Sequence, residues 1–222
     1  MNRFFDSNFF IGLNWYRSFF PSLLSKFLYG RHTKFLTGEA SPMYVFSTIA
    51  PQRMSKIIPK VKLILLLRNP IDRAYSHYNM QKRNNYEKLS FEDAIKLEKE
   101  RIKDERQKEI LDENFVGINL RDFSYLSRGE YDLQLETWLK YFPRNQLLII
   151  RTEDLENDHQ KTMNIIFEFL ELPKYEIKNF QKANVGEYNK MNPNTRKFLV
   201  EYFKPHNANL SKLLGMDFSW DC

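Results

Sequence analysis

Cysteine occurs once in 222 residues, as Cys222, so no disulfide can close within the chain. With that lone thiol and four scattered histidines there is no Cys/His cluster of zinc spacing, and no metal site is expected. A disulfide-free composition fits a reducing, cytoplasmic setting. Glycine is also scarce: none of the seven is followed by lysine, which excludes a GxxxxGK[ST] phosphate loop and the nucleotide-kinase site built on one. No apolar run reaches the roughly 18 residues of a membrane span, so no transmembrane segment is expected. The first residues lack the basic, apolar, small-residue order of a secretory signal.

What is present is enough to fold. Hydrophobic residues make up 42% of the chain and aromatics 15%, with Phe the largest contributor at 19, which points to one core and a single domain over residues 1–222. The formal charge of +6 favours an anionic partner. No arginine-rich arm, zinc finger or aromatic ribonucleoprotein motif accompanies that charge, so nucleic acid is not the expected partner. Composition alone leaves oligomeric state open.

Three apolar stretches read as strands, Lys34 to Gly38 weakly, Leu63 to Leu67 and Gln146 to Arg151 strongly, each followed by helix-like sequence. That alternation predicts an α/β fold with a parallel central sheet flanked by helices. Ser90 followed by Asp93 reads as a capping box opening a charged, solvated helix or helix pair from Phe91 to about Phe115. Glu130 to Phe142 is amphipathic, with Tyr131, Leu135, Trp138, Leu139 and Phe142 on one face and Pro143 ending it. Asp158 to Leu170 repeats the pattern with Met163, Ile166, Phe167 and Leu170 inward. Two last helices, Pro193 to Phe203 and Asn207 to Leu214, are expected on either side of Pro205. The polar stretch Lys182 to Pro193 reads as a loop.

The stretch "LLLRNPID" joins strand to helix with no spacer: Asn69 is placed to cap a helix that starts at Pro70, with Asp72 in its first turn. Arg68 then stands at the carboxyl end of a parallel strand, where open α/β sheets bind ligands, beside helix N–H groups expected to be free for an anion. Ser76, two turns on, leans back toward the same place. The same pattern also fits an Arg68 that ends the strand in an ion pair and a Ser76 that is only a helix residue. Arg73 reads as structural or surface, and His77 has no assignable role.

A strand followed by Arg-Asn-Pro, then Arg-Ala-x-Ser-x-Tyr, resembles the 3′-phosphate-binding segment of sulfotransferases. Five further stretches occur in the order found in the heparan sulfate branch and its bacterial relatives: "RFFD" from Arg3, "GLNWYRSFFP" from Gly12, "TGEASPMY" from Thr37, "RGEYDLQLETWLKYFP" from Arg128 and "LLGMDFSW" from Leu213. The resemblance implies a fold related to nucleotide kinases, and transfer of sulfonate from 3′-phosphoadenosine 5′-phosphosulfate (PAPS) to a hydroxyl or amine of a carbohydrate. It implies Arg68 and Ser76 as the phosphate site and, by a loose match, Lys190 as a further cation over the nucleotide, where a solvated loop lysine fits equally. Asp6 and Glu39 are the carboxylates left in family-like motifs, and either is placed to orient an acceptor. A turn role for Asp6 and a structural role for Glu39 fit equally. Trp15, Tyr16 and Arg17 suit an acceptor groove, or a core aromatic pair beside a surface arginine.

The chain also departs from that family. It has no Lys-x-Gly-Thr loop for the 5′-phosphosulfate, so the first strand and that loop are expected to be absent. Met1 stands where the family has its catalytic glutamate, and Ala40 where it often has lysine. A start placed too late is expected, with a catalytically inactive nucleotide- or glycan-binding homologue as the alternative. An exposed apolar edge or cleft is expected where the first strand would lie.

Overall fold

The computed structural model describes residues 3–22, 25, 27, 28, 36–112, 115–178, 186 and 188–220. In chain order come α1 (Leu13–Ser18), α2 (Ala50–Ile57), β1 (Leu63–Leu67), α3 (Pro70–Arg83), α4 (Phe91–Leu111), α5 (Ile118–Asp122), α6 (Tyr131–Leu139), β2 (Leu147–Arg151), α7 (Thr152–Asn157), α8 (His159–Phe169) and α9 (Pro193–Leu214). A 3-10 turn, Ser127–Gly129, precedes α6.

β1 and β2 form a parallel pair in register from Leu63 opposite Leu147 to Leu67 opposite Arg151. Such strands cannot be joined by a hairpin, so α3 to α6 make the crossover. On one face Leu63, Leu65 and Leu67 pack into a core with Phe4, Phe5, Tyr16, Tyr44 and Trp138. On the other face β2 buries Ile150, while Ile64 and Leu66 of β1 stay 41% and 52% exposed. A second cluster joins α3, α4 and α9 through Ile71, Ala74, Phe91, Ile95, Tyr125, Leu199 and Phe203.

The anticipated helix starts are present. The Asn69 side chain accepts from Ile71 N and Asp72 N, with Pro70 at the first helical position. Ser90 Oγ accepts from Asp93 N at 3.1 Å and donates to Asp93 Oδ2 at 2.6 Å, capping α4 by a hydroxyl–carboxylate bond in place of the box's bond to Ser90 N.

Several expectations need correction. Pro205 does not divide the last helices: α9 runs unbroken from Pro193 to Leu214 with Pro205 inside it. The proline lies on the exposed face, and Leu199, Phe203, Leu210 and Leu214 form a buried stripe on both sides of it. An interior proline costs about 3 kcal/mol, whereas each buried Leu or Phe contributes roughly 1.5–3 kcal/mol, so the stripe wins. α4 is not simply solvated, because Phe91, Ala94, Ile95, Glu98 and Ile102 are buried along it. In α8 only Thr162 is fully buried, and Met163, Ile166, Phe167 and Leu170 are half-buried. Its main neighbours are β2 and α7, so its stripe is covered from one side.

The strand expected from Lys34 to Gly38 falls partly outside the described residues, and Leu36 to Gly38 have no regular structure. Residues 182–185 and 187 of the loop from Lys182, and the terminal Cys222, lie outside them as well. Among the described residues no helix is long and apolar enough to cross a membrane, and no acidic, His or Cys group has the makings of a metal site.

Two predictions follow from the buried surface of α3. Burial, reinforced by Arg128 and Arg73 nearby, pulls the His77 imidazole down to about 2. An unfolded histidine titrates near 6.5, so His77 contributes stability that is complete above that pH and lost as pH falls below it. Between about pH 6 and 4.5 the parent should lose roughly 1.4 kcal/mol per pH unit more than His77→Gln in urea unfolding; parallel losses would refute the assignment. At Gly129 an added Cβ would stand 2.8 Å from Phe203 Cε1 and 2.9 Å from Pro70 Cβ. Gly129→Ala should therefore cost about 1–3 kcal/mol of overpacking in the same assay.

Candidate functional site

Arg68 leaves β1 at the carboxyl end of the sheet, and its backbone is held from three directions. The Tyr131 hydroxyl donates to Arg68 O at 3.0 Å, Asn69 N donates to Glu153 Oε1 at 2.8 Å, and the Thr152 hydroxyl donates to Leu67 O at 3.1 Å. The partly buried Arg68 guanidinium, by contrast, has no hydrogen-bond or ion-pair partner among the described residues. An arginine on a fixed backbone with its five donors uncommitted is prepared for an oxyanion.

The N-terminus of α3 does not supply the free N–H groups anticipated from sequence. Asn69 Oδ1 takes Ile71 N and Asp72 N, Asn69 O takes Arg73 N at 2.9 Å, and Pro70 has none to offer. Side chains must carry the anion contacts here. Ser76, two turns along and partly buried, also has a hydroxyl without a partner among the described residues.

Lys190 lies exposed on a segment tied to the same helix. The Tyr75 hydroxyl donates to Asn189 O at 3.0 Å, and the Tyr75 and Tyr188 rings meet edge to face at 5.5 Å. Arg68, Ser76 and the Lys190 segment are thus gathered around α3. Arg73 takes the structural role: it donates to Tyr125 O, and burial pulls its pKa down.

Asp6 and Glu39 belong to a separate group at the core of α1. Asp6 sits in the turn after Arg3, with Oδ2 paired to Arg3 at 2.8 Å and Oδ1 buried without a partner. Glu39 Oε1 accepts from Tyr16 Oη at 2.8 Å, and Tyr44 Oη shares its proton between both Glu39 oxygens at 3.2 Å. Burial and the adjacent carboxylate push both phenols well above their usual range, so each keeps its proton and donates it to Glu39. Tyr44 Oη also receives Phe5 N at 3.4 Å, which joins the Asp6 turn to Glu39. No hydrogen bond or ion pair links either carboxylate to Arg68 among the described residues.

Glu39 also lines an open cavity of about 380 Å³ with Trp15, Phe19, Phe20 and Asn8. Tyr16 is buried beneath it and Arg17 is exposed, so of the proposed groove residues Trp15 alone reaches this cavity. Aromatic walls with one carboxylate suit a ring that has apolar faces and polar edges. Sequence reading missed Tyr131, Thr152 and Glu153, whose contacts with the Arg68 segment span 63 to 85 residues of chain. Only the strand-then-helix order after Arg151 offered a sign of the last two.

A family model described as a sulfotransferase domain matches residues 3–209. The chain is 27% identical over 282 residues to the membrane-associated sulfotransferase kil1 of Dictyostelium discoideum, covering 98% of this chain and 59% of that protein. It is 31% identical over 242 residues to the human bifunctional heparan sulfate N-deacetylase/N-sulfotransferase 3, covering 96% of this chain and 25% of that protein. The chain therefore spans less than two thirds of the first relative's length and about a quarter of the second's. A sulfotransferase crystal structure from Alicyclobacillus acidocaldarius superposes with a TM-score of 0.67 at 30% identity, over 83% of this chain and 67% of that one. The parallel β1–β2 pair with its helical crossover is consistent with that α/β fold, and the chain belongs to the sulfotransferase domain family.

Proposed function

We propose that this chain is the part of a sulfotransferase that grips the 3′-phosphate of PAPS and presents a carbohydrate acceptor to it. The observation that carries the reading is Arg68, whose backbone is braced by Tyr131, its neighbours by Thr152 and Glu153, and whose guanidinium is uncommitted. PAPS supplies the activated sulfonate, with the adenosine bisphosphate as leaving group.

The residues present fit a phosphate. Arg68 offers a planar fork to two oxygens and Ser76 a hydroxyl to a third, the charge-assisted geometry that binds phosphate firmly. Lys190, on the segment docked to α3, adds a mobile positive charge. On the other side, Trp15, Phe19 and Phe20 provide faces for a pyranose, and Glu39 accepts a hydrogen bond from an acceptor hydroxyl or amine. Asp6 does not line that cavity and its Oδ1 is buried, so its part in this half is to support Glu39 from behind, through Phe5 N and Tyr44. The relatives named for heparan sulfate support a carbohydrate acceptor.

Calorimetric titration with 3′,5′-adenosine bisphosphate tests the donor half. Loss of a charge-assisted contact costs roughly 1.5–3 kcal/mol, so Arg68→Ala should bind about 10- to 100-fold more weakly, with a smaller loss for Ser76→Ala. Unchanged affinity in Arg68→Ala would sink the assignment. For the acceptor half, Trp15→Ala should weaken binding of a heparan-type oligosaccharide roughly 3- to 10-fold while leaving the nucleotide affinity alone.

A further inference from the structure

α4 carries a buried carboxylate that the site description has not used. Glu98 is 4% exposed, on a helix whose outer face is charged. It accepts Leu126 N at 2.5 Å through one oxygen, and Ser127 N at 2.8 Å and Ser127 Oγ at 2.7 Å through the other. Glu87, also buried, pairs with Arg101 at 2.6 Å. Glu98 has no such ion pair among the described residues, and its charge is met by backbone and hydroxyl donors.

The residues it holds open the turn Ser127–Gly129, and that turn rests on the start of α3. The Gly129 backbone is close enough to Pro70 that a Cβ would be 2.9 Å from Pro70 Cβ. Two residues on, the Tyr131 hydroxyl reaches Arg68 O. Gln134 Nε2 ties the turn to α6 by donating to Ser127 O at 3.1 Å. The turn therefore touches the chain on both sides of Asn69, and Glu98 fixes where the turn begins.

We infer that Glu98 is a positioning residue, acting through the 126–131 turn to hold the Arg68–Pro70 seam in its anion-binding conformation. The inference deepens the proposed phosphate site and rests on that reading for its functional meaning. Glu98 touches no ligand itself. A buried carboxylate is a costly way to satisfy two backbone donors unless the position of those donors matters. Burial also pushes its carboxyl pKa up, so the bonds from Leu126 and Ser127 are what its environment offers in place of water.

Amide hydrogen exchange on the full chain gives the direct test, because it needs no ligand. Glu98→Ala should speed exchange at Asn69 and Ile71 by about tenfold or more, while amides of α8, on the far side of β2, keep parental rates. Glu98→Gln, which retains one oxygen for Ser127, should recover part of the protection. Ser127→Ala removes one of the three bonds and should shift the same amides by less, which keeps the test available if Glu98→Ala does not fold. Unchanged exchange at the seam, or acceleration spread evenly over the chain, would overturn the positioning role. Titration with 3′,5′-adenosine bisphosphate then separates the two levels. Weaker binding by Glu98→Ala together with its local acceleration of exchange supports both; the same local acceleration in Glu98→Ala, when the parent itself binds no nucleotide, upholds the positioning role and removes the phosphate reading.

Discussion

The parallel pairing of β1 with β2 is the constraint on which the site depends. Its register ends with Leu67 opposite Arg151, so both strands finish level and the chain turns into α3 and α7 at one edge. Thr152 then finds Leu67 O, and Glu153 finds Asn69 N. A slip of one residue would send all five side chains of the slipped strand to the opposite face and break both contacts. Because parallel strands need a crossover, the same pairing brings the 126–131 turn back over β1, where Tyr131 reaches Arg68 O.

Within that frame the positive charges divide into committed and uncommitted ones. Arg3 pairs with Asp6, Arg101 with Glu87, Arg151 with Asp154 and Arg196 with Asp72. Arg128 donates to Leu120 O and Arg121 O, closing the carboxyl end of α5, and burial lowers its pKa to about 9. Arg68 differs from these in having a braced backbone and no carboxylate partner among the described residues. Several kcal/mol are at stake when a buried arginine loses its partner, so leaving one uncommitted at a partly exposed strand end is tolerable only where water or a ligand reaches it.

The seam was legible because its signals are local. The apolar run "LILLL", an asparagine cap, a proline at the first helical position and an early aspartate all act within a few residues of Arg68. What the sequence did not reveal came from contacts that span the chain. Glu98, Tyr131 and Glu153 carry no pattern that marks a bond to a residue 28 to 84 positions away. The free N–H groups expected at α3 were a misjudgement of a different kind: the residue that announced the helix, Asn69, is the one that consumes them. Pro205 misled because helix-breaking is a local cost, and the burial that outweighs it is tertiary.

The two halves of the site are also built differently. Arg68 and Ser76 stand on a strand end and a 14-residue helix, with the seam between them pinned by partly buried hydrogen bonds from two other helices, α6 and α7. Glu39 and Asn8 stand on irregular segments and Trp15 on a six-residue helix, with Glu39 held by two tyrosine hydroxyls. Rigid elements fix a geometry to fractions of an ångström, whereas loops and short helices tolerate substitution and insertion. On the proposed reading, the part that must hold one invariant phosphate is placed on the rigid half. The part that meets variable sugars is placed where sequence can change without disturbing the β1–β2 frame, so differences in acceptor choice among relatives should concentrate around the Trp15 cavity rather than at the Arg68 seam.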